Sequence, residues 1–223
     1  MRGRGSPRHV LITAGPTREP IDPVRFLSNY STGHMGVQLA TAALARGHRV
    51  TVVSGPLVEP MPTKARVIAV ETARQMEHAL YRHARGADVI IMAAAVSDFR
   101  PARARSMKLP RRARYQLQLE ATPDIIGRLP RTAGQVVAGF ALETESVRAR
   151  AERKLRTKRL DLLLAQRVHG ASAPFGRTTV HAWLLERGGA VTPLGRVSKA
   201  KVARVLLDKI EALWYGQRES SST

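Results

Sequence analysis

The sequence predicts an α/β domain, a doubly wound and mostly parallel sheet with helices on both faces. Three observations carry that reading. Short apolar runs of strand length alternate with longer segments whose apolar residues recur at helical spacing. The crossovers between the runs are long enough to hold a helix, as parallel pairing demands. The alternation resumes after residue 135, so both halves of the chain contribute to one sheet.

Taken in order, residues 9–14 (HVLITA) read as a buried strand that turns at Gly15 and Pro16. Residues 35–46 (MGVQLATAALAR) are rich in helix formers, and Gly47 stands where a C-terminal cap belongs. Residues 49–54 (RVTVVS) return as a strand closed by Gly55 and Pro56, and 66–70 form another. Residues 72–85 (TARQMEHALYRHAR) are a helix that Thr72 can cap. Residues 88–95 (DVIIMAAA) are a buried strand. A strand at 135–140, a helix at 145–159 and a strand at 160–165 repeat the pattern. The last element is an amphipathic helix at 199–214, with Val202, Val205, Leu206 and Ile210 on one side.

Two stretches break the alternation. Residues 101–120 are basic and end in YQLQLE, the alternation of an edge strand. Residues 170–195 hold a hairpin turning at Gly188 and Gly189. These are expected to be a basic flap and a small β hairpin region, acting as a flap or as a contact between copies. A single domain is expected over 8–214, with tails at 1–7 and 215–223.

Composition narrows the function. A chain of 223 residues buries roughly 70% of its unfolded surface and needs no covalent staple. With no cysteine it has no disulfide framework, thiolate nucleophile, cysteine-bound zinc or iron–sulfur cluster. An apolar fraction of 43% excludes a disordered chain. No apolar run approaches the ~18 residues of a membrane span, and MRGRGSPRH lacks the apolar core of a secretory signal. A cytoplasmic location is expected. The 37 Lys and Arg outnumber 17 Asp and Glu, for a net charge of +20, which invites a nucleic-acid reading. Against it, aromatics are only 4%, and the dense basic stretch 100–114 is flanked by Phe99 and Tyr115 alone. Single-strand binding needs interleaved aromatics for stacking. A small polyanionic ligand is favoured, and no nucleic-acid partner is expected.

The segment TAGPTREPIDPVRFLSNYSTGHMG, residues 13–36, carries the most chemistry. A strand ends at Gly15, and Ser31, Thr32 and Gly33 precede a helix. Ligands of open α/β sheets sit beyond the carboxyl ends of the strands, and helix N-termini favour phosphate. Plain turn-making is the competing reading of these glycines. Neither a dinucleotide fingerprint nor a Walker A loop is present. Arg25 and Asn29 lie in the intervening loop, and both can bind an acyl or phosphate oxygen.

The chain resembles the phosphopantothenoylcysteine synthetases (phosphopantothenate–cysteine ligases), in many bacteria one half of a bifunctional coenzyme A biosynthesis flavoprotein. Beside the first segment, the resemblance rests on SGP at 54–56, AAAVSDFRP at 93–101, ATPDI at 121–125, GFALET at 139–144 and KLRTKRLDLLLA at 154–165. Together these cover about residues 9–212. The resemblance implies a Rossmann-like fold, a homodimer, and a reaction joining 4′-phosphopantothenate to L-cysteine with CTP, through an acyl cytidylate. It implies Mg²⁺ arriving with the nucleotide, no flavin, and a flavin decarboxylase as a possible separate partner.

Roles carried over from the family follow residue by residue. Asn29 holds the acyl nucleotidylate, and Arg25 binds phosphopantothenate near a subunit boundary. Gly15, Ser31 and Gly33 belong to the nucleotide-binding loop. Ala93, Ala94 and Ala95 offer backbone to the nucleotide, and Asp98 a carboxylate. Pro123, Asp124, Ile125 and Ile126 line the base pocket, and Phe140 packs on the nucleotide. Lys108, on the flap, serves phosphoryl chemistry. Lys154 and Lys158, spaced i, i+4, share a helix face and take the triphosphate; a solvated basic face is the alternative.

Four positions depart from the family. Pro110 and Arg111 replace lysines after Lys108, His34 replaces a lysine, and Gln166 replaces an asparagine. No histidine pair has metal-ligand spacing, so no protein-held metal is expected. A short-chain reductase would need Tyr-x-x-x-Lys, and none of Tyr30, Tyr81, Tyr115 or Tyr215 has that lysine.

Overall fold

A computed structural model describes residues 7–168 and 175–219, with side chains through 214. The first apolar run is β1 (His9–Ala14), whose period-two pattern sends side chains to both faces. Val10, Ile12 and Ala14 join one core and Leu11 the other. On the first face pack α1 (His34–Ala45) and α4 (Lys199–Glu219), through Leu39 and Ala43 and through Val202, Leu206 and Ile210. On the second pack α2 (Ala73–Ala84) and α3 (Val147–Thr157), through Met76 and Leu80 and through Ala151 and Leu155. Burial on both faces explains why the strands read as continuous apolar runs.

The parallel part comprises β1, β4 (Arg49–Ser54), β5 (Arg66–Ala69), β6 (Val89–Met92), β9 (Val136–Glu143) and β10 (Leu162–Arg167). With β11 (Thr179–Glu186) and β12 (Val191–Ser198) added, the sheet order is β12-β11-β10-β9-β6-β1-β4-β5. Val10 pairs with Val50 of β4 on one side and Val89 of β6 on the other. The strand order therefore reverses at β1, which opens a crevice beyond the carboxyl ends of β1 and β6. Thr72 caps α2 with a full capping box, accepting from the Gln75 N–H at 3.2 Å.

Five expectations are corrected. The late hairpin, β11 (Thr179–Glu186) and β12 (Val191–Ser198), is not a separate flap; it extends the main sheet by antiparallel pairing to β10. The part of that region at 170–174, and 1–6 and 220–223 of the expected tails, lie outside the described residues. The strand expected to reach residue 95 ends at Met92, because the Ala95 N–H leaves the sheet and donates to the Gly15 carbonyl at 2.9 Å. The loop carrying Arg25 folds into a hairpin of its own, β2 (Arg18–Asp22) and β3 (Arg25–Ser28). Of YQLQLE, only its last two residues are strand, in β8 (Leu119–Ala121), paired with β7 (Phe99–Pro101). The last helix continues past Trp214 to Glu219. No helix among the described residues is long and apolar enough to cross a membrane.

Candidate functional site

A cavity of about 750 Å³ occupies the crevice. Its floor is Ala93, Ala94 and Ala95, where the chain leaves β6. Three bonds fix that backbone: Ala94 N–H donates to Thr13 Oγ1 at 3.1 Å, Ala95 N–H to the Gly15 carbonyl at 2.9 Å, and Thr17 N–H to the Ala95 carbonyl at 3.3 Å. Small side chains on a fixed backbone let a ligand approach main-chain groups closely. Asn29 lines the cavity and donates through Nδ2 to the carbonyls of Ala95 and Val96, each at 3.1 Å.

One wall is the entry to α1, with Ser31, Gly33 and His34. Gly33 adopts φ 79° and carries no side chain to cap this helix, so the positive end of its dipole lies at the wall. A Cβ on Gly33 would come within 2.1 Å of Leu57 Cδ2. Gly33→Ala is therefore expected to cost about 1–3 kcal/mol of stability, combining left-handed strain with that clash. Urea unfolding checks this, and an unchanged midpoint would refute it. Gly15 does not line the cavity. Its Cβ would meet the Gly55 and Pro56 carbonyl oxygens at 3.0 Å, so it serves the tight turn.

The opposite wall is α3 with Asp98 and the segment from Thr122 to Ile126. Lys154, in the last turn, donates to the Phe140 carbonyl at 2.8 Å. Burial pushes its pKa below the ordinary lysine value, against the pull of the Glu143 and Asp98 carboxylates. Lys158, at the C-cap, pairs with Asp124. Burial works against the Asp124 charge, but the Lys158 hydrogen bond and the Gly127 N–H outweigh it and hold the carboxyl low. Pro123, Asp124, Ile125 and Ile126 line this side with Phe140 and Asp98. The structure thus brings together every expected site residue except Gly15, Arg25 and Lys108.

Arg25 and Lys108 line a second cavity of about 530 Å³ with Leu109, Pro110, Arg111, Arg112 and Tyr115. Asp22 organises it. This buried carboxylate accepts from the N–H groups of Val24, Arg25 and Leu109 and pairs with Arg25 at 3.2 Å. Burial opposes its charge, yet those donors keep its pKa below the usual carboxylate value.

Two residues that matter to the main cavity, one behind its wall and one on it, escape a reading of the sequence. Tyr81, on α2, donates its hydroxyl to the Ile125 carbonyl at 2.8 Å and so positions the 123–126 segment; burial beside Glu77 raises its pKa to about 12. Lys199, the first residue of α4, lines the cavity yet is 6% exposed. In sequence it reads as one more helix lysine, because only tertiary packing buries it. Among the described residues no three His, Cys, Asp or Glu side chains are grouped as for a held metal ion.

Residues 6–213 match the DFP family, described as the DNA/pantothenate metabolism flavoprotein C-terminal domain. The chain belongs to this family. Among its relatives, the coenzyme A biosynthesis bifunctional protein CoaBC of Bacillus subtilis is 39% identical over 92% of this chain and 52% of its own length. A cysteine/cysteine sulfinic acid decarboxylase of an unknown prokaryotic organism is 38% identical over 92% of this chain and 58% of its own. The chain spans a little over half the length of these curated relatives. The crystal structure of the C-terminal domain of a CoaBC protein superposes with a TM-score of 0.79 at 34% identity, covering 94% of this chain and 96% of that one. A Cab2 mutant in complex with phosphopantothenate-cysteine gives 0.75 at 18% identity over 97% of this chain and 89% of that one, which shows the fold. This DFP-family chain thus shares its doubly wound sheet, whose strand order reverses at the crevice, with solved relatives.

Proposed function

We propose that the chain is a phosphopantothenate–cysteine ligase of coenzyme A biosynthesis, using CTP. The observation that supports this best is convergence. Residues as far apart in sequence as Asn29 and Lys158 line one crevice that has polar main chain on its floor and lysines on its wall. In the first half-reaction the carboxylate of 4′-phosphopantothenate attacks the α-phosphorus of CTP, forming an acyl cytidylate and releasing pyrophosphate. In the second, the cysteine amine attacks the acyl carbonyl and CMP departs.

Charge accumulates at the phosphorus in the first step, so preorganised cations are the main catalytic need. Lys154 and Lys158 supply them from the α3 wall. Mg²⁺ enters bound to the CTP phosphates as part of that substrate, and Asp98 and Asp124 are the carboxylates the cavity offers it. The fixed backbone at Ala93, Ala94 and Ala95 reads the nucleotide, and the segment pinned by Tyr81 frames the base. Arg25 takes the phosphorylated acid at the second cavity, and the flap lysine Lys108 beside it serves the phosphoryl step. We place the enzyme in the cytoplasm as a homodimer, beside a flavin-dependent decarboxylase that supplies the flavin chemistry this domain does not use.

Pyrophosphate release tests the reading. With phosphopantothenate present, CTP is expected to release pyrophosphate, and added cysteine to convert it to steady turnover with CMP as product. No release with any nucleoside triphosphate, or release independent of the acid, would overturn it.

A further inference from the structure

We propose that Lys199 is a phosphate-binding residue of the main cavity, its ammonium pairing with the distal phosphates of the bound nucleoside triphosphate. This rests on the nucleotide reading above and assigns a residue to it that no sequence motif marks.

The first argument is charge balance. The charged side chains on the cavity wall are Asp98, Asp124, Lys154, Lys158 and Lys199, with His34 beside them. Lys154 and Lys158 are balanced by the two aspartates, and Lys158 is already paired with Asp124. A nucleoside triphosphate does not gain from a neutral cavity. Lys199 is the cation that tips the wall positive.

The second argument is position. Lys199 Nζ donates to the Gly176 carbonyl at 2.7 Å, and Gly176 N–H donates to Thr32 Oγ1 at 3.2 Å. These bonds tie the start of α4 to the start of α1, so the ammonium stands beside a helix N-terminus whose N-cap is a glycine. Two independent positive features therefore meet at one end of the cavity, across from the α3 lysines. A phosphate chain has cations on both sides of the sheet.

The third argument is cost. Lys199 is the only buried Lys or Arg among the described residues. Burial pulls its pKa from 10.5 down to about 8, with the Glu59 carboxylate opposing. The folded protein therefore holds this proton less tightly than the unfolded chain does. The charged form subtracts from stability below pH 8, and the loss is relieved as pH rises from about 8 to 10.5. The carboxylate that acts on it is Glu59, after β4. Glu59 also pairs with His34 at 3.1 Å and Arg177 at 3.0 Å.

Calorimetric binding of CTP, CMP, phosphopantothenate and inorganic pyrophosphate to wild type, Lys199→Met and Lys199→Arg tests the proposal. Lys199→Met is expected to weaken CTP and pyrophosphate by about tenfold or more, the scale of one charge-assisted hydrogen bond, and CMP by less than about twofold. Its melting temperature at pH 7 is expected to match or exceed wild type, and Lys199→Arg to restore most of the affinity. CTP affinity of the wild type is expected to fall as pH rises through 8, a slope absent from Lys199→Met. Equal weakening of CTP and CMP would reveal a structural role and overturn the proposal, as would unchanged CTP and pyrophosphate affinity. Weakening of phosphopantothenate alone would move Lys199 to the other substrate and overturn it too. If the wild type binds pyrophosphate but no nucleotide, the ligase reading fails while pyrophosphate still decides on Lys199. If it binds neither, both fall.

Discussion

Lys108→Gln is expected to slow acyl cytidylate formation by about two orders of magnitude or more while changing CTP affinity little. Removing one preorganised donor from a developing oxyanion costs about that much elsewhere. The split between rate and affinity follows from where the lysine sits. It is not on the wall of the main cavity; it lies with Arg25 in the second one. Its neighbour Leu109 is held on both sides, with the carbonyl accepting from Arg25 Nη2 at 2.5 Å and the N–H donating to Asp22 at 3.1 Å. A further bond runs from Arg105 N–H to the Ile21 carbonyl at 2.9 Å. The flap is thus anchored to the β2–β3 hairpin rather than loose in solvent. On the proposed ligase reading the ammonium is expected to reach the α-phosphorus only when the acid fills the second cavity or the flap shifts, so CTP binding alone is expected not to engage it. A rapid-quench measurement of pyrophosphate release in the absence of cysteine reads the step directly. Lys108→Arg keeps the charge and is expected to retain part of the rate, since a planar guanidinium presents its donors in a different geometry from a compact ammonium. An unchanged first step in Lys108→Gln would remove this lysine from the chemistry.

The elements that are legible in the sequence are those in which local pattern and tertiary packing agree. The run HVLITA is apolar on both faces because β1 is covered by α1 and α4 on one side and α2 and α3 on the other. Thr72 and Gln75 announce the start of α2 with a cap that forms as the spacing requires. The β2–β3 hairpin is not legible, because its strands carry Pro20 and mixed polar residues. It is held instead by Asp22, whose carboxylate collects backbone donors from two segments distant in sequence. The end of β6 escapes local pattern for a related reason. AAAV continues the apolar run, but the turn after β1 captures the Ala95 N–H and bends the chain out of the sheet. The site divides the same way. Lys154 and Lys158 are visible by spacing, whereas Lys199 owes its place to the packing of α4 against α1, which no local pattern encodes.

Asn29→Asp is expected to leave acyl cytidylate formation largely intact and to slow its conversion by cysteine about a hundredfold. The resemblance to the ligases gives Asn29 an amide donor for the acyl carbonyl. The structure adds a second role, since Nδ2 bridges the carbonyls of Ala95 and Val96 at 3.1 Å each. An aspartate has no donor to give and sets a carboxylate against two carbonyl oxygens, so it repels the floor as well as the acyl oxygen. Asn29→Ala separates the two roles, because it deletes the donor without adding charge. If the amide serves the acyl carbonyl, both variants accumulate the intermediate and both release it slowly when cysteine is added. If it serves only the floor, Asn29→Ala converts the intermediate at nearly the wild-type rate, since solvent satisfies the exposed carbonyls, and Asn29→Asp shows its defect in CTP affinity. Chasing preformed, labelled intermediate with cysteine measures the conversion. A normal chase in both variants would take Asn29 out of the second half-reaction. Slow conversion in both would mean that one amide, held by the floor until substrate arrives, exchanges a backbone carbonyl for the acyl oxygen as the cysteine amine attacks.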